Sequence, residues 1–260
     1  MNTTTWINHF AENAKRSDEL ELPTDPCALP EEIRRPLARS IAIFQLGESG
    51  GGTRIRRYVQ GMAPTEHFRG YQRAVDLFIA EEQGHAALLA KVVEHLRGTL
   101  LRKQWSNSVF RWMRNLVNVE FNIQVLLTAE LIAEVYYGTL LLRTPDETVR
   151  TMARKVVRDE VKHLAFQRAF LSERLAEFSP RLRRAWALQF KAIHWLTTLV
   201  VAWDHGDCLR ALGVTQRAWR LRCADALADF ERRLWRQTEK VTAEGFLPSE
   251  EKNASPLITA

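Results

Sequence analysis

Two segments of the sequence repeat one chemical pattern. Glu82-Gln83-Gly84-His85 and Glu160-Val161-Lys162-His163 are both Glu-x-x-His. On a helix, residues three apart project about 60° from each other, so each carboxylate shares a face with its imidazole. Such a pair can hold one metal ion, or bridge to a second. The spacing alone is weak evidence: with 22 Glu and 7 His in 260 residues, chance gives about 0.6 such pairs. The setting is stronger. Leu77, Phe78 and Ile79 precede the first pair, and Leu164, Ala165 and Phe166 follow the second. A salt-bridged surface helix has no need of such flanks. Two further carboxylates lie in apolar runs: Glu48 after Phe44 and Leu46, and Glu130 within Leu126 to Ile132. An unpaired carboxylate is costly to bury there. The order along the chain is therefore Glu, Glu-x-x-His, Glu, Glu-x-x-His.

These residues need helices to carry them. From Glu31, the apolar positions Ile33, Leu37, Ile41 and Phe44 recur at helical spacing. This first helix is expected to reach about Gln60, with Gly50-Gly51-Gly52 inside it. A second, capped by Thr65, runs to about Leu96 and stops at Gly98. A third covers about Val119 to Leu142. Thr144-Pro145-Asp146 is a stop and restart, and opens a fourth helix to about Phe178. Ser179-Pro180 opens a fifth to about Leu212, and Thr215 caps a sixth to about Lys240. Residues 1–30, punctuated by Pro23, Pro26 and Pro30, read as an irregular N-terminal arm. Residues 31–243 read as a single helical domain and 244–260 as an irregular tail. No segment alternates with period two, so the expected fold class is all-α.

The arrangement resembles the ferritin-like diiron-carboxylate family. The resemblance covers about residues 33–178 and implies a four-helix bundle with one long crossover, here followed by two additional helices at about 180–240. The separations agree with it. Glu48 to Glu82 is 34 residues and Glu130 to Glu160 is 30, suited to antiparallel pairs, while Glu82 to Glu130 is 48. The resemblance implies Glu48, Glu82, His85, Glu130, Glu160 and His163 as ligands of two iron ions, or of manganese in their place. Four carboxylates and two neutral imidazoles carry −4, which two divalent ions balance. It further implies an oxidoreductase, an oxygenase or oxidase, with O2 as co-substrate and a small organic or carrier-bound substrate. A separate electron donor and a homo-oligomer, a dimer, are expected with it. Iron handling or peroxide detoxification, and hydroxylation of a tRNA, are the alternatives. Diiron N-oxygenases carry a further histidine one turn before the fourth-helix Glu, where this chain has Val156.

Glu134 stands one turn after Glu130 and is the alternate third-helix ligand. Counting from the helix ends favours Glu130: it lies 12 residues before Leu142, and Glu160 lies 14 after Asp146. Arg158 and Asp159 read as supporting or salt-bridging residues, as does the pair Asp204-His205. His194 reads as a core histidine. Glycines cost about 1 kcal/mol each inside a helix, so the triplet is not there for stability. Gly51 and Gly52, three and four residues after Glu48, are expected to open a substrate pocket beside the metals.

Composition excludes other classes. Hydrophobic residues make up 46% and charged ones 26%, which fits a globular protein and not a disordered or fibrous one. Three cysteines, widely spaced, build neither a disulfide framework nor a zinc ribbon. No signal peptide is visible and the cytoplasm is the expected setting. The most apolar stretch, 185–203, is broken by Lys191 and His194, so no membrane span is expected. The net charge is +6. The segment from Arg181 to Arg236 carries the same excess, with 11 basic and 5 acidic residues. Arg217, Arg220 and Arg222 are its candidate contact with an acidic partner.

Overall fold

The computed structural model describes residues 1–18, 20–50, 52–61, 69–105 and 119–245. Over these the protein is all-α. Nine helices are present among the described residues: α1 (Thr3–Asp18), α2 (Glu31–Glu48), α3 (Thr53–Gly61), α4 (Tyr71–His95), α5 (Val119–Arg143), α6 (Glu147–Ala176), α7 (Pro180–Asp204), α8 (Gly206–Ala211) and α9 (Gln216–Gly245). The stop signals act as expected at several boundaries. Asp146 caps α6 by accepting a hydrogen bond from the Val149 amide at 2.9 Å. Ser179 caps α7 with Pro180 in its first turn. Thr215 accepts from the Ala218 amide just ahead of α9.

Three expectations are corrected. Residues 1–30 are not irregular throughout, because α1 fills residues 3–18. Its Phe10 is 1% exposed and meets Phe78 and Phe166 edge-on. The prolines from Pro23 onward obscure the spacing of Thr3, Ile7 and Phe10, which is helical. The first long helix stops at Glu48 and restarts as α3, so the glycines break it. Gly52 takes φ +60°, a left-handed conformation that ends helices and favours glycine. The fifth helix breaks at His205, giving α7 and the short α8. The expected Thr65 cap lies outside the described residues, as does the tail from 246.

Helix α2 packs on α4, α5 packs on α6, and α4 meets α6. Helix α9 lies along α6, α7 and α5, while α7 covers α5 and α1 covers α4. Two apolar clusters result. One gathers Leu37, Leu89, Tyr136, Met152 and Val156. The other gathers Phe78, Leu131, Phe166, Phe170 and Phe190. In sequence, Glu82 and His85 on α4, and Glu160 and His163 on α6, fall at the change from one cluster to the other. The chemistry-bearing residues thus form a polar layer between two apolar ones.

Among the described residues one helix is long and apolar enough to cross a membrane, and it is not the stretch read as most apolar. It is residues 123–143 of α5, with mean hydropathy 1.5, rather than 185–203 of α7. In the fold 61% of that window is buried, and α6, α7 and α9 cover it. Its apolar character is that of a core helix.

Docking of α1 is directly testable. Phe10→Ala removes a ring buried among aromatic neighbours, which costs about 3–5 kcal/mol. Thermal unfolding should fall by many degrees. An unchanged midpoint would mean that α1 does not rest on α4 in solution.

Candidate metal centre

Glu82 and His85 project from α4, and Glu160 and His163 from α6, into one buried space. Glu160 and His163 are fully buried and His85 is 1% exposed. The Nδ1 atoms of both histidines turn between the two carboxylates. His163 Nδ1 lies 2.8 Å from Glu82 Oε1 and 3.4 Å from Glu160 Oε2. His85 Nδ1 lies 3.9 Å from Glu82 Oε1 and 3.8 Å from Glu160 Oε1. None of these atoms is aligned for a hydrogen bond. Glu82 Oε1, both Glu160 oxygens, His85 Nδ1 and His163 Nδ1 are all buried without a hydrogen-bond partner. Ligands about 2.1 Å from one ion stand about 3 Å apart when adjacent. The atoms therefore converge as metal ligands do, and polar groups left in this state are otherwise costly.

Glu130 and Glu48 border the same cavity as Glu82 and Glu160. Glu130 is 4% exposed; Gln167 donates to its Oε1, and its Oε2 has no partner. Glu48, the last residue of α2, is half-buried and within hydrogen-bond reach of Glu82. The charges confirm how close these groups are. Burial, then Glu82, pushes the Glu48 carboxyl well above its ordinary range. Burial, then Glu160, does the same to Glu130. Burial also raises Glu160, against the pull of His163. For Glu82 burial acts upward too, but the charge of His163, and after it the nearness of Glu48, prevail and hold it low. Burial alone would lower His163; Glu82, Glu160 and Glu81 raise it well above the usual imidazole value. Glu134 is only partly buried and is raised by burial and then by Glu160. The Arg233 guanidinium pulls the other way, and Asp229 adds to the rise.

The residue before each glutamate serves the histidine of the other helix. Asp159 Oδ2 accepts from His85 Nε2 at 3.0 Å. Glu81 Oε2 lies 3.5 Å from His163 Nε2, but neither atom has a hydrogen-bond partner. Asn13 of α1 donates to both Asp159 and Glu81, and Lys155 donates to Asp159. Burial would raise the Asp159 carboxyl, but the bonds from His85 and Lys155 hold it below the usual range. Such partners fix the tautomer of a ligating imidazole and strengthen it. The sequence reading assigned a supporting role to Asp159 but passed over Glu81. The signal was present as Glu81-Glu82 and Asp159-Glu160, an acid before each Glu-x-x-His. Arg158, exposed, is an ion partner of Asp159 at 3.6 Å and no more.

A cavity of about 210 Å³ opens from this cluster. Glu48, Glu82, Glu130 and Glu160 form its polar end. Its walls are apolar, among them Ile43, Phe44, Ile79, Val125, Ile132 and Val201. Gly50 and Gly52 line it, and Gly51 lies outside the described residues. The glycines do not act from within a helix on the face of Glu48, as expected. Gly52 follows the break, and a Cβ there would run into the Ile79 side chain. Close approach and a positive φ explain that glycine. Asp204 and His205 also line it, and His205 is bonded through Nδ1 to Ser40 at 2.7 Å. Desolvation by burial lowers both His194 and His205 to about 4, and both are neutral.

The basic residues separate. Arg217 and Arg220 line a groove between α7 and α9, with Lys191 and Trp195. Arg222 instead turns to Thr139 on α5, at 3.3 Å. A further group, Cys27, His95 and Asp146, contains the α6 cap and the 2.9 Å bond from His95 to Asp146.

Metal binding should be linked to protons. Glu48, Glu130, Glu160 and His163 all have raised folded-state values. Their stabilising effect is present below the unfolded values and is lost as pH rises through the folded ones. A bound cation replaces those protons. Glu82, held low, titrates below this window, and His194 and His205 contribute equally with and without metal. The thermal shift given by Mn²⁺ should therefore grow as pH rises from the acid side. A flat or falling shift would place the metal elsewhere. Asp159→Asn should weaken binding by roughly 10–100-fold without unfolding the chain.

Comparison with protein-family models and with curated proteins gives no match to this chain.

Proposed function

We propose that the chain is a ferritin-like protein holding two iron ions, or two manganese ions, and that it is an O2-dependent oxidoreductase for a small apolar substrate. The observation that carries this reading is the set of unpartnered buried ligand atoms converging from α4, α5 and α6, with Glu48 of α2, at the closed end of an apolar cavity. Glu82, His85, Glu160 and His163 would hold the metals, with Glu48 and Glu130 as the remaining carboxylates. When bound, two such ions supply O2 activation and two-electron oxidation.

The chain's own residues supply the rest. Asp159 orients the imidazole of His85, and Glu81 stands beside that of His163. Phe10 and Phe78 lie against His163 with ring centroids at 6.1 and 4.7 Å, and exclude water from that side. Gln167 holds one oxygen of Glu130. The cavity selects by shape and polarity. A cavity of about 150 Å³ accepts a benzene-sized guest, so this one suits roughly six to ten non-hydrogen atoms. No Lys or Arg is among its described lining residues. An anionic headgroup has no partner inside, whereas a neutral aliphatic or alicyclic segment, free or carrier-bound, is matched. Electrons come from a separate donor in this reading. The apolar walls also weigh against iron handling, which needs a polar path for a hydrated cation. The inward turn of Arg222 interrupts the basic face that a tRNA substrate would need.

Anaerobic loading with ferrous iron, followed by elemental analysis, should approach two ions per chain. A value near zero in folded protein overturns the reading. Glu130→Ala should lose the dinuclear stoichiometry and Glu134→Ala should keep it. Ala129→Phe, on the cavity wall, should leave loading intact and slow oxidation of the bulkier members of a neutral substrate panel about tenfold, equivalent to roughly 1.4 kcal/mol. Equal rates for all members would place the substrate outside this cavity.

A further inference from the structure

Three side chains of different ligand types meet where α4 ends and α6 begins. His95 is the last residue of α4, Asp146 is the N-cap of α6, and Cys27 lies in the segment between α1 and α2. One ligand atom of each lies within 4.8 Å of the others. His95 Nε2 and Asp146 Oδ2 are 2.9 Å apart. Around one tetrahedral ion, with nitrogen and oxygen about 2.1 Å and sulfur about 2.3 Å from it, the ligand atoms stand about 3.3–3.6 Å apart. The His95–Asp146 pair has to open by only about 0.5 Å to take an ion between them.

The fold holds all three in place. Thr148, in the first turn of α6, donates to the Pro23 carbonyl at 3.1 Å and ties the segment that carries Cys27 to α6. Cys27 itself packs on the apolar cluster that includes Leu37 and Met152. Arg34 donates to the Leu96 carbonyl at 2.9 Å and fixes the residue after His95. Asp146 gives only Oδ1 to the helix cap, which leaves Oδ2 to face His95. The sulfur has a donor of its own. Burial raises the Cys27 thiol, the Leu29 amide bonded to the sulfur opposes the rise, and the Asp146 charge adds to it. An amide directed at sulfur favours the thiolate, and a cation between Cys27 and Asp146 cancels the repulsion that opposes it. The side chains of His95 and Asp146 are 14% and 7% exposed, so solvent reaches one side of the group.

We propose that Cys27, His95 and Asp146 form a mononuclear zinc site, separate from the carboxylate-rich centre, with water as the fourth ligand. The thiolate decides the metal. One sulfur, one imidazole and one carboxylate make a borderline-soft set that suits Zn²⁺, whereas a centre of carboxylates and imidazoles suits iron or manganese. On binding, Cys27 loses its proton to solvent and His95 carries its proton on Nδ1, so that sulfur and Nε2 each offer a lone pair. One thiolate and one carboxylate then balance the two charges of the ion. Zinc here joins the segment that follows α1 to the ends of α4 and α6. Linking residues so far apart in the chain stabilises the fold mainly by restricting the unfolded state. The site shares no ligand with the centre described above and does not rest on that reading.

The test titrates the full chain, reduced, anaerobic and stripped of metal, with Co²⁺ as the probe. Cobalt bound to a thiolate gives charge-transfer absorption in the near ultraviolet, which the sulfur-free centre cannot give. The absorption should rise to a plateau and fall when Zn²⁺ is added, because zinc binds such a site more tightly. Cys27→Ser should abolish it, while Cys208→Ala and Cys223→Ala, at buried cysteines, should keep it. Asp146→Asn preserves a good helix cap. It should weaken cobalt binding by more than the roughly tenfold of a lost supporting contact. In the parent chain Zn²⁺ should slow alkylation of Cys27 by iodoacetamide about tenfold, read by peptide mass. Iron loading of Cys27→Ser should equal that of the parent, so the two metal sites stand or fall separately. No charge-transfer band in the reduced parent, a band that survives Cys27→Ser, or alkylation indifferent to zinc overturns the proposal.

Discussion

The structure depends on how it compensates a cluster of carboxylates placed where water is scarce. Glu82, Glu130, Glu160, Glu81 and Asp159 crowd between two apolar clusters, with Glu48 at their edge. Lys155 and His163 are the cations inside the same layer. That is too little positive charge, and an isolated buried carboxylate is among the most costly groups a fold can hold. Holding protons more tightly offsets part of it, and that is the direction in which burial moves Glu48, Glu130 and Glu160. Divalent cations would do so more completely, because they also satisfy the orphaned imidazole Nδ1 atoms, which protonated carboxyls are not aligned to do.

Compensation explains features that appear remote from the site. Helix α1 brings Asn13 to Asp159 and Glu81 together, and Phe10 to the ring of His163. The N-terminal helix is therefore part of the support for both histidines, not an appendage. Lys155 lies one turn before Asp159 on α6, so the same helix carries the acid and the cation that balances it. The short break after Glu48 places that carboxylate at a helix end, beside the cavity, where its backbone is less constrained than in mid-helix.

What could be read from the sequence follows from what is periodic. The helices carrying Glu130 and Glu160, their boundaries at residues 143–147 and the convergence of the two Glu-x-x-His pairs were legible, because a face of a helix is a local property. The role of Glu81 was not, because it depends on which helix lies opposite, and α4 meets α6 only in the fold. The N-terminal helix was hidden by its brevity and by the prolines after it. The glycine triplet was misread because propensity gives the cost of glycine in a helix but not whether the helix continues. Gly52 at φ +60° against Ile79 is decided by a tertiary contact. The cavity wall contributed by α7 was likewise unreadable, since Val200 and Val201 look like core positions in any helix.

Helix α7 shows why apolar periodicity alone misleads. Its stretch from 185 to 203 is the part of the sequence that looks most like a buried helix, yet half of that apolar character faces outward. The inner half is used by the cavity and the neighbouring helices α5 and α9. The outer half is not needed for folding the single chain, and leaving it exposed is unfavourable in water. A helix polar on its outer face would fold equally well. Packing among the described residues therefore does not account for the apolar row.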